Sequence, residues 1–108
     1  MGKRSIKQEE VDLIQHLLSL KHLESVHYPI NSEVSDYEGA VMRSIGLGNV
    51  NAIYAGDIIQ VKYIDSDQIS VIITLTQDTE GKILDLDFWK EDFSALLKYP
   101  KPGDLKLI

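Results

Sequence analysis

The chain has 108 residues, of which 44% are hydrophobic and 26% charged, with a formal net charge of −6 and no cysteine. That length and balance imply one soluble globular domain over residues 1–108, able to bury a core without staples. The lack of cysteine excludes disulfides, thiolate metal sites and Cys nucleophiles, and the negative charge disfavours nucleic-acid binding by repelling phosphate backbones.

The first residues, Met1-Gly2-Lys3-Arg4-Ser5-Ile6, begin like a myristoylation signal but have Ile6 where Ser or Thr is needed. No apolar signal-peptide core follows, and no run approaches the length of a membrane span. The expectation is a soluble cytoplasmic protein. Ser5 and Gln8 have capping-box spacing, with Glu9, Glu10 and Asp12 where a helix N-terminus favours negative charge. Val11, Ile14, Leu17, Leu18 and Lys21 then recur at three and four residues, with Leu13 on the flank. This predicts an amphipathic helix over 6–20, its apolar stripe packed on a sheet.

Leu23, Val26, Tyr28 and Ile30 allow a short extended segment that Pro29 confines to an edge or loop. The polar stretch 31–39 reads as a mobile acidic loop. A strand is expected over 40–47 and another over 57–64, where Ile59, Val61 and Tyr63 alternate with Gln60 and Lys62. After a tight Asp65-Ser66-Asp67 turn, Ile69, Val71, Ile73 and Leu75 alternate with Ser70, Thr74 and Thr76. Asp78-Thr79-Glu80-Gly81 closes a hairpin, with Gly81 able to take φ > 0. Leu84, Leu86 and Phe88 resume the apolar face, with Asp85 and Asp87 on the other. Phe93, Leu96 and Leu97 have helical spacing within 90–97, Pro100, Pro102 and Gly103 stop any helix, and Leu105 and Leu107 pin an extended tail.

The chemistry-bearing residues are few. His16, His22 and His27 lack metal-ligand spacing, and His22-Leu23-Glu24 lacks the cysteines of a zinc deaminase. The two Asp-rich turns lack the remaining ligands of a calcium loop. Ser94 has no nucleophile elbow, and Gly46-Leu47-Gly48 no phosphate-binding spacing. Asp85 and Asp87 stand about 7 Å apart on one strand face, a separation compatible with acid–base hydrolysis by paired carboxylates. A solvated polar face is the plainer account. No cofactor or metal is called for.

Leu84-Asp85-Leu86-Asp87-Phe88-Trp89-Lys90-Glu91-Asp92-Phe93-Ser94-Ala95-Leu96 resembles the closing signature of a family of small, functionally uncharacterised bacterial domains. In that signature an acidic-aliphatic strand leads into Trp-Lys-x-Asp-Phe-Ser-Pro-Leu, and here Ala95 replaces the Pro. The resemblance extends to Glu38-Gly39-Ala40-Val41-Met42-Arg43-Ser44, which departs at Ala40-Val41 from a Gly-Gly-Met form, and to Tyr63-Ile64-Asp65. It implies a shared fold and brings no activity. Domains of this build are loosely similar to immunity proteins that neutralise bacterial toxins. Within the signature, Trp89 and Phe93 are expected to close the core and Asp92 to cap the helical turn that follows.

The expected fold is α+β: an N-terminal helix on an antiparallel meander of four to five strands, with a short helical turn near the C-terminus. Ile69, Val71, Ile73, Leu84, Leu86 and Phe88 should face Ile14, Leu17 and Leu18. Two functions are carried. The first is a non-enzymatic protein-binding module for an unknown, basic partner, using Asp36, Tyr37 and Glu38 together with Asp85 and Asp87. The second is a small hydrolase-type enzyme built on Asp85 and Asp87. The sequence offers no catalytic set of base, nucleophile and orienting group, which favours the first.

Overall fold

Leu13, Ile14, Leu17 and Leu18 form one stripe of a helix, and each is at most 1% exposed. In the computed structural model, which describes residues 3–23, 27–37, 43–48 and 51–108 (Pro102 by its backbone alone), they belong to α1 (Gln8–Leu20). The helix starts later than 6–20 because Ser5 is taken by a strand, β1 (Arg4–Ser5). Lys7 is the N-cap. Its backbone N–H is satisfied by Glu10 Oε1 at 2.9 Å, which is the return half of a capping box. Arg4 secures that corner, its guanidinium donating to both carboxylate oxygens of Glu10 at 2.8–3.0 Å.

The remaining strands are β2 (Glu33–Asp36), β3 (Ile45–Gly46), β4 (Tyr54–Ile64), β5 (Ser70–Asp78), β6 (Ile83–Lys90) and β7 (Lys106–Leu107). They make an antiparallel open sheet of order β1-β2-β3-β6-β5-β4-β7. The fold is α+β, and its centre is the expected meander β4-β5-β6. Seven strands replace the four to five expected. The added ones are two- to four-residue pieces with at most one buried side chain each, such as Val34, too short to show alternation. The stretch 31–39 is therefore no loop through its middle, since β2 pairs on both sides. The strand expected over 40–47 is reduced to β3. Arg43 has φ 68 and leaves extended geometry, and 40–42 lie outside the described residues.

One core cluster joins the helix stripe to Ile45, Val61, Tyr63, Val71, Ile73, Leu75, Leu86 and Phe88. The core face expected for β5 and β6 holds at Val71, Ile73, Leu86 and Phe88 but not at Leu84, which is half-buried while Ile83 is 3% exposed. Leu75 pairs with Leu86 but Gln77 with Ile83, so β6 carries one extra residue there. That bulge reverses which residues point inward. Ile69, just before β5, is also half-buried.

The far end of the sheet is closed by charge. Asp65 (1% exposed) and Lys90 (0%) are buried together, with Lys90 Nζ 2.9 Å from Asp65 Oδ2 and 2.7 Å from Asp67 Oδ2. Lys90 also donates to Ala95 O at 2.9 Å. Asp65 accepts further from the N–H groups of Ser66, Leu97 and Lys98 at 2.7–3.0 Å. Burial pushes Lys90 down, but the bonds and charges of Asp67 and Asp65 outweigh it and hold the ammonium above its ordinary value. Burial pushes Asp65 up, and its donors outweigh that too, bringing it to about 2.

This cluster overrides the helical spacing of 90–97. Lys90 ends a strand, and Phe93 sits at φ 62, which no right-handed helix accommodates. For a bulky residue that conformation costs about 1–3 kcal/mol. Asp92 caps a turn instead of a helix, accepting from Ser94 N at 3.0 Å and Ser94 Oγ at 2.6 Å. The only 3-10 turn among the described residues is at Pro102–Asp104, where Pro suits a first helical position. Trp89 and Phe93 do not close the core: they are 46% and 66% exposed. Trp89 shares the parity of Asp87, pointing away from α1. The tail does hold, through β7 against Val61 and Lys62.

Leu86→Ala is expected to destabilise the fold by about 2–5 kcal/mol, read from the denaturation midpoint. Asp65→Asn should cost about 3 kcal/mol, because it removes the fully buried one of the two carboxylates that hold the Lys90 charge. Asp65 lies at about 2 in the fold against about 3.9 unfolded. Its stabilisation is therefore present above about pH 4 and lost as pH falls toward about 2. Acid denaturation of Asp65→Asn should lack that limb.

Candidate functional site

Period-two geometry sends Asp85, Asp87 and Trp89 of β6 to the sheet face opposite α1. Cross-strand pairing extends this face: Asp87 lies beside Thr74 and Gln60, and Trp89 beside Ile72 and Lys62. Gln60 Nε2 donates to Thr74 Oγ1 at 3.2 Å, as same-face neighbours can. Among the described residues, α1 is the only α-helix, and it packs on the other face.

The bulge builds the surroundings of Asp85. Its backbone N–H donates to Thr76 Oγ1 at 2.9 Å in place of a ladder carbonyl. The Thr76 hydroxyl faces Asp85 O and Oδ2, both at 3.4 Å. On the other side β3 pairs Gly46 with Asp85. The missing side chain at Gly46 lets Tyr37 lie across the strand. A Cβ there would stand 3.4 Å from Tyr37 Oη, so a branched side chain would displace the ring. The Tyr37 hydroxyl donates to Asp85 Oδ1. Ser44, 7% exposed, accepts from Phe88 N at 2.9 Å and stands 3.0 Å from Asp87 Oδ1, to which it donates.

Asp85 is consequently half-buried while Asp87 is exposed. Burial first, and the Asp87 charge second, raise the Asp85 carboxyl to about 6. The bond from Tyr37 favours the charged form and works against both. At neutral pH the face carries two carboxylates, one of them ionised at a cost.

Of the residues expected to bind, Tyr37, Asp85 and Asp87 are brought together. Asp36 precedes Tyr37 in β2 but pairs with the core-facing Ile45, so it lies on the α1 side of the sheet, where Arg4 Nε and Nη2 hold its carboxylate at 2.8 and 2.9 Å. That bonding lowers its pKa. Glu38 lies outside the described residues. His16 is half-buried on α1, and His22 and His27 are exposed. Sequence reasoning missed Thr76 and Ser44, whose roles depend on strand neighbours far along the chain. It also missed Asp57, which pairs with Thr76 and accepts from Tyr54 Oη at 2.7 Å.

Asp85→Asn should raise stability at pH 7 by about 1–2 kcal/mol, since solvent screens part of the penalty it removes. The folded value of about 6 lies above the unfolded one of about 3.9. Wild-type stability therefore gains as pH falls from above 6 to about 4, and that gain is lost as pH rises through 6. A variant whose stability keeps that slope would locate the titration elsewhere.

The chain belongs to the family of the domain of unknown function DUF6984, which matches residues 3–100. No curated protein and no solved structure matches it. Among the described residues no helix is long and apolar enough to cross a membrane.

Proposed function

We propose that this chain is a non-enzymatic protein-binding module whose contact surface is the sheet face opposite α1, around Tyr37, Asp85 and Asp87. The observation that carries the reading is Asp85. A carboxylate half-buried beside a second one lowers stability without serving the core, and such positions concentrate at functional sites. The partner class is a basic protein, in keeping with the net charge of −6 and with a cationic group relieving the Asp85–Asp87 repulsion. Tyr37 supplies an amphipathic anchor. Asp36, on the α1 side of the sheet and bound by Arg4, is not part of the surface. An immunity-like role, in which an acidic domain blocks a basic toxin, is one form of this function.

The same carboxylates support a second reading. A carboxyl at about 6 beside another can exchange a proton near neutral pH, as a small hydrolase-type enzyme would require. The binding reading is tested by one experiment. Wild type and the Asp85→Asn/Asp87→Asn variant serve as baits in parallel at low and high salt. Exposed charges are screened over about 8–10 Å at physiological ionic strength. A binding module retains a basic chain that the variant loses and that salt weakens. A chain retained equally by both baits, with no salt dependence, removes this surface from consideration.

A further inference from the structure

We infer that the face continues into an aromatic anchor site, formed by Trp89, Phe93 and Ile72, that seats an apolar side chain of a basic amphipathic helix from the partner protein. This rests on the reading of the face as a protein-binding surface and adds the partner's form. Trp89 and Phe93 meet edge to face, with centroids 5.7 Å apart and planes at 82°. Trp89 is about half exposed and Phe93 mostly exposed. Their exposure is built in. Phe93 is held at φ 62 by its N–H bond to Lys90 O at 2.9 Å, and Lys90 in turn is fixed by the buried Asp65. A backbone conformation that is strained for Phe serves here to project the ring outward. Beside the indole lies a depression of about 260 Å³ lined by Lys62, Ser70, Ile72, Trp89 and Glu91, and Phe93 stands on the far side of Trp89 from it, in contact with that ring.

Charge and spacing select the occupant. Asp85, Asp87 and Trp89 succeed one another at about 7 Å along β6. Residues four to five apart on a helix rise by about 6–7.5 Å. A helix laid along β6 thus matches two basic side chains to the carboxylates and one apolar side chain to the indole. Lys62 stands at the aromatic end, across Ile72 from Trp89. Glu91 lines the same depression, so the formal charges there cancel and that end, unlike the Asp85–Asp87 end, suits an apolar residue. Hydrophobic anchors in this arrangement dominate affinity, and the charged pairs govern encounter rate and register.

The probe is a synthetic amphipathic helix of Leu and Lys, with a control in which Ala replaces every Leu. Binding is measured by calorimetry against wild type, Trp89→Ala, Phe93→Gly and Asp85→Asn/Asp87→Asn. Trp89→Ala and Phe93→Gly are expected to weaken the Leu/Lys helix by at least about tenfold and to leave the weak binding of the control unchanged. Phe93→Gly also relieves the positive φ, so it should be more stable than wild type while binding less. A merely structural ring cannot produce that combination. If both aromatic variants bind as wild type does while the Asp variant loses affinity, the anchor site is overturned and the acidic surface stands. If the Asp variant too binds unchanged, both fall.

Discussion

The fold turns on a buried ion pair, Lys90 with Asp65. An ammonium with no exposed surface is tolerable only when carboxylates and carbonyls satisfy it. Here they come from the β4–β5 turn and from the segment after β6. Asp65 gathers the backbone N–H groups of Leu97 and Lys98 at the same point. One salt bridge thereby fastens the end of the meander to the returning chain. Segment 91–94 is clamped at both ends, and the turn it must make points Phe93 at solvent.

The two faces of the sheet then divide the work. Under α1 the packing is apolar and continuous, and stability resides there. The opposite face carries Tyr37, Asp57, Asp85, Asp87 and Trp89 over a layer of threonines that is itself nearly buried. The bulge in β6 links the two. By reversing parity at Ile83 and Leu84 it keeps an apolar residue inward and sets Asp85 against Thr76 and Tyr37. A regular ladder at that point would pair Asp85 with a single neighbour and leave it more open to water.

Much of this was legible in the chain itself. Strong alternation in β4, β5 and β6, and the three-four spacing in α1, report burial directly, and those elements stand where they were expected. Short strands such as β2 and β3 owe their form to neighbours, because a polar stretch like Glu33–Asp36 has no periodicity of its own. Asp85 and Asp87 were visible as a same-face pair, but the half-burial of Asp85 was not, since Tyr37 reaches it from 48 residues away. Trp89 and Phe93 were misassigned because aromatics usually belong to cores. Period two, carried one step past Phe88, turns Trp89 outward. A lysine at an inward position is the signal that a buried acid must exist, and Asp65 lies 25 residues away in sequence.

Asp85 is half-buried on the face opposite α1 and carries its charge at a cost. The most direct measurement is the titration of the Asp85 side-chain carboxyl carbon by NMR in the wild-type chain. The account predicts a midpoint near 6; a midpoint near the ordinary carboxylate value of about 4 would contradict it.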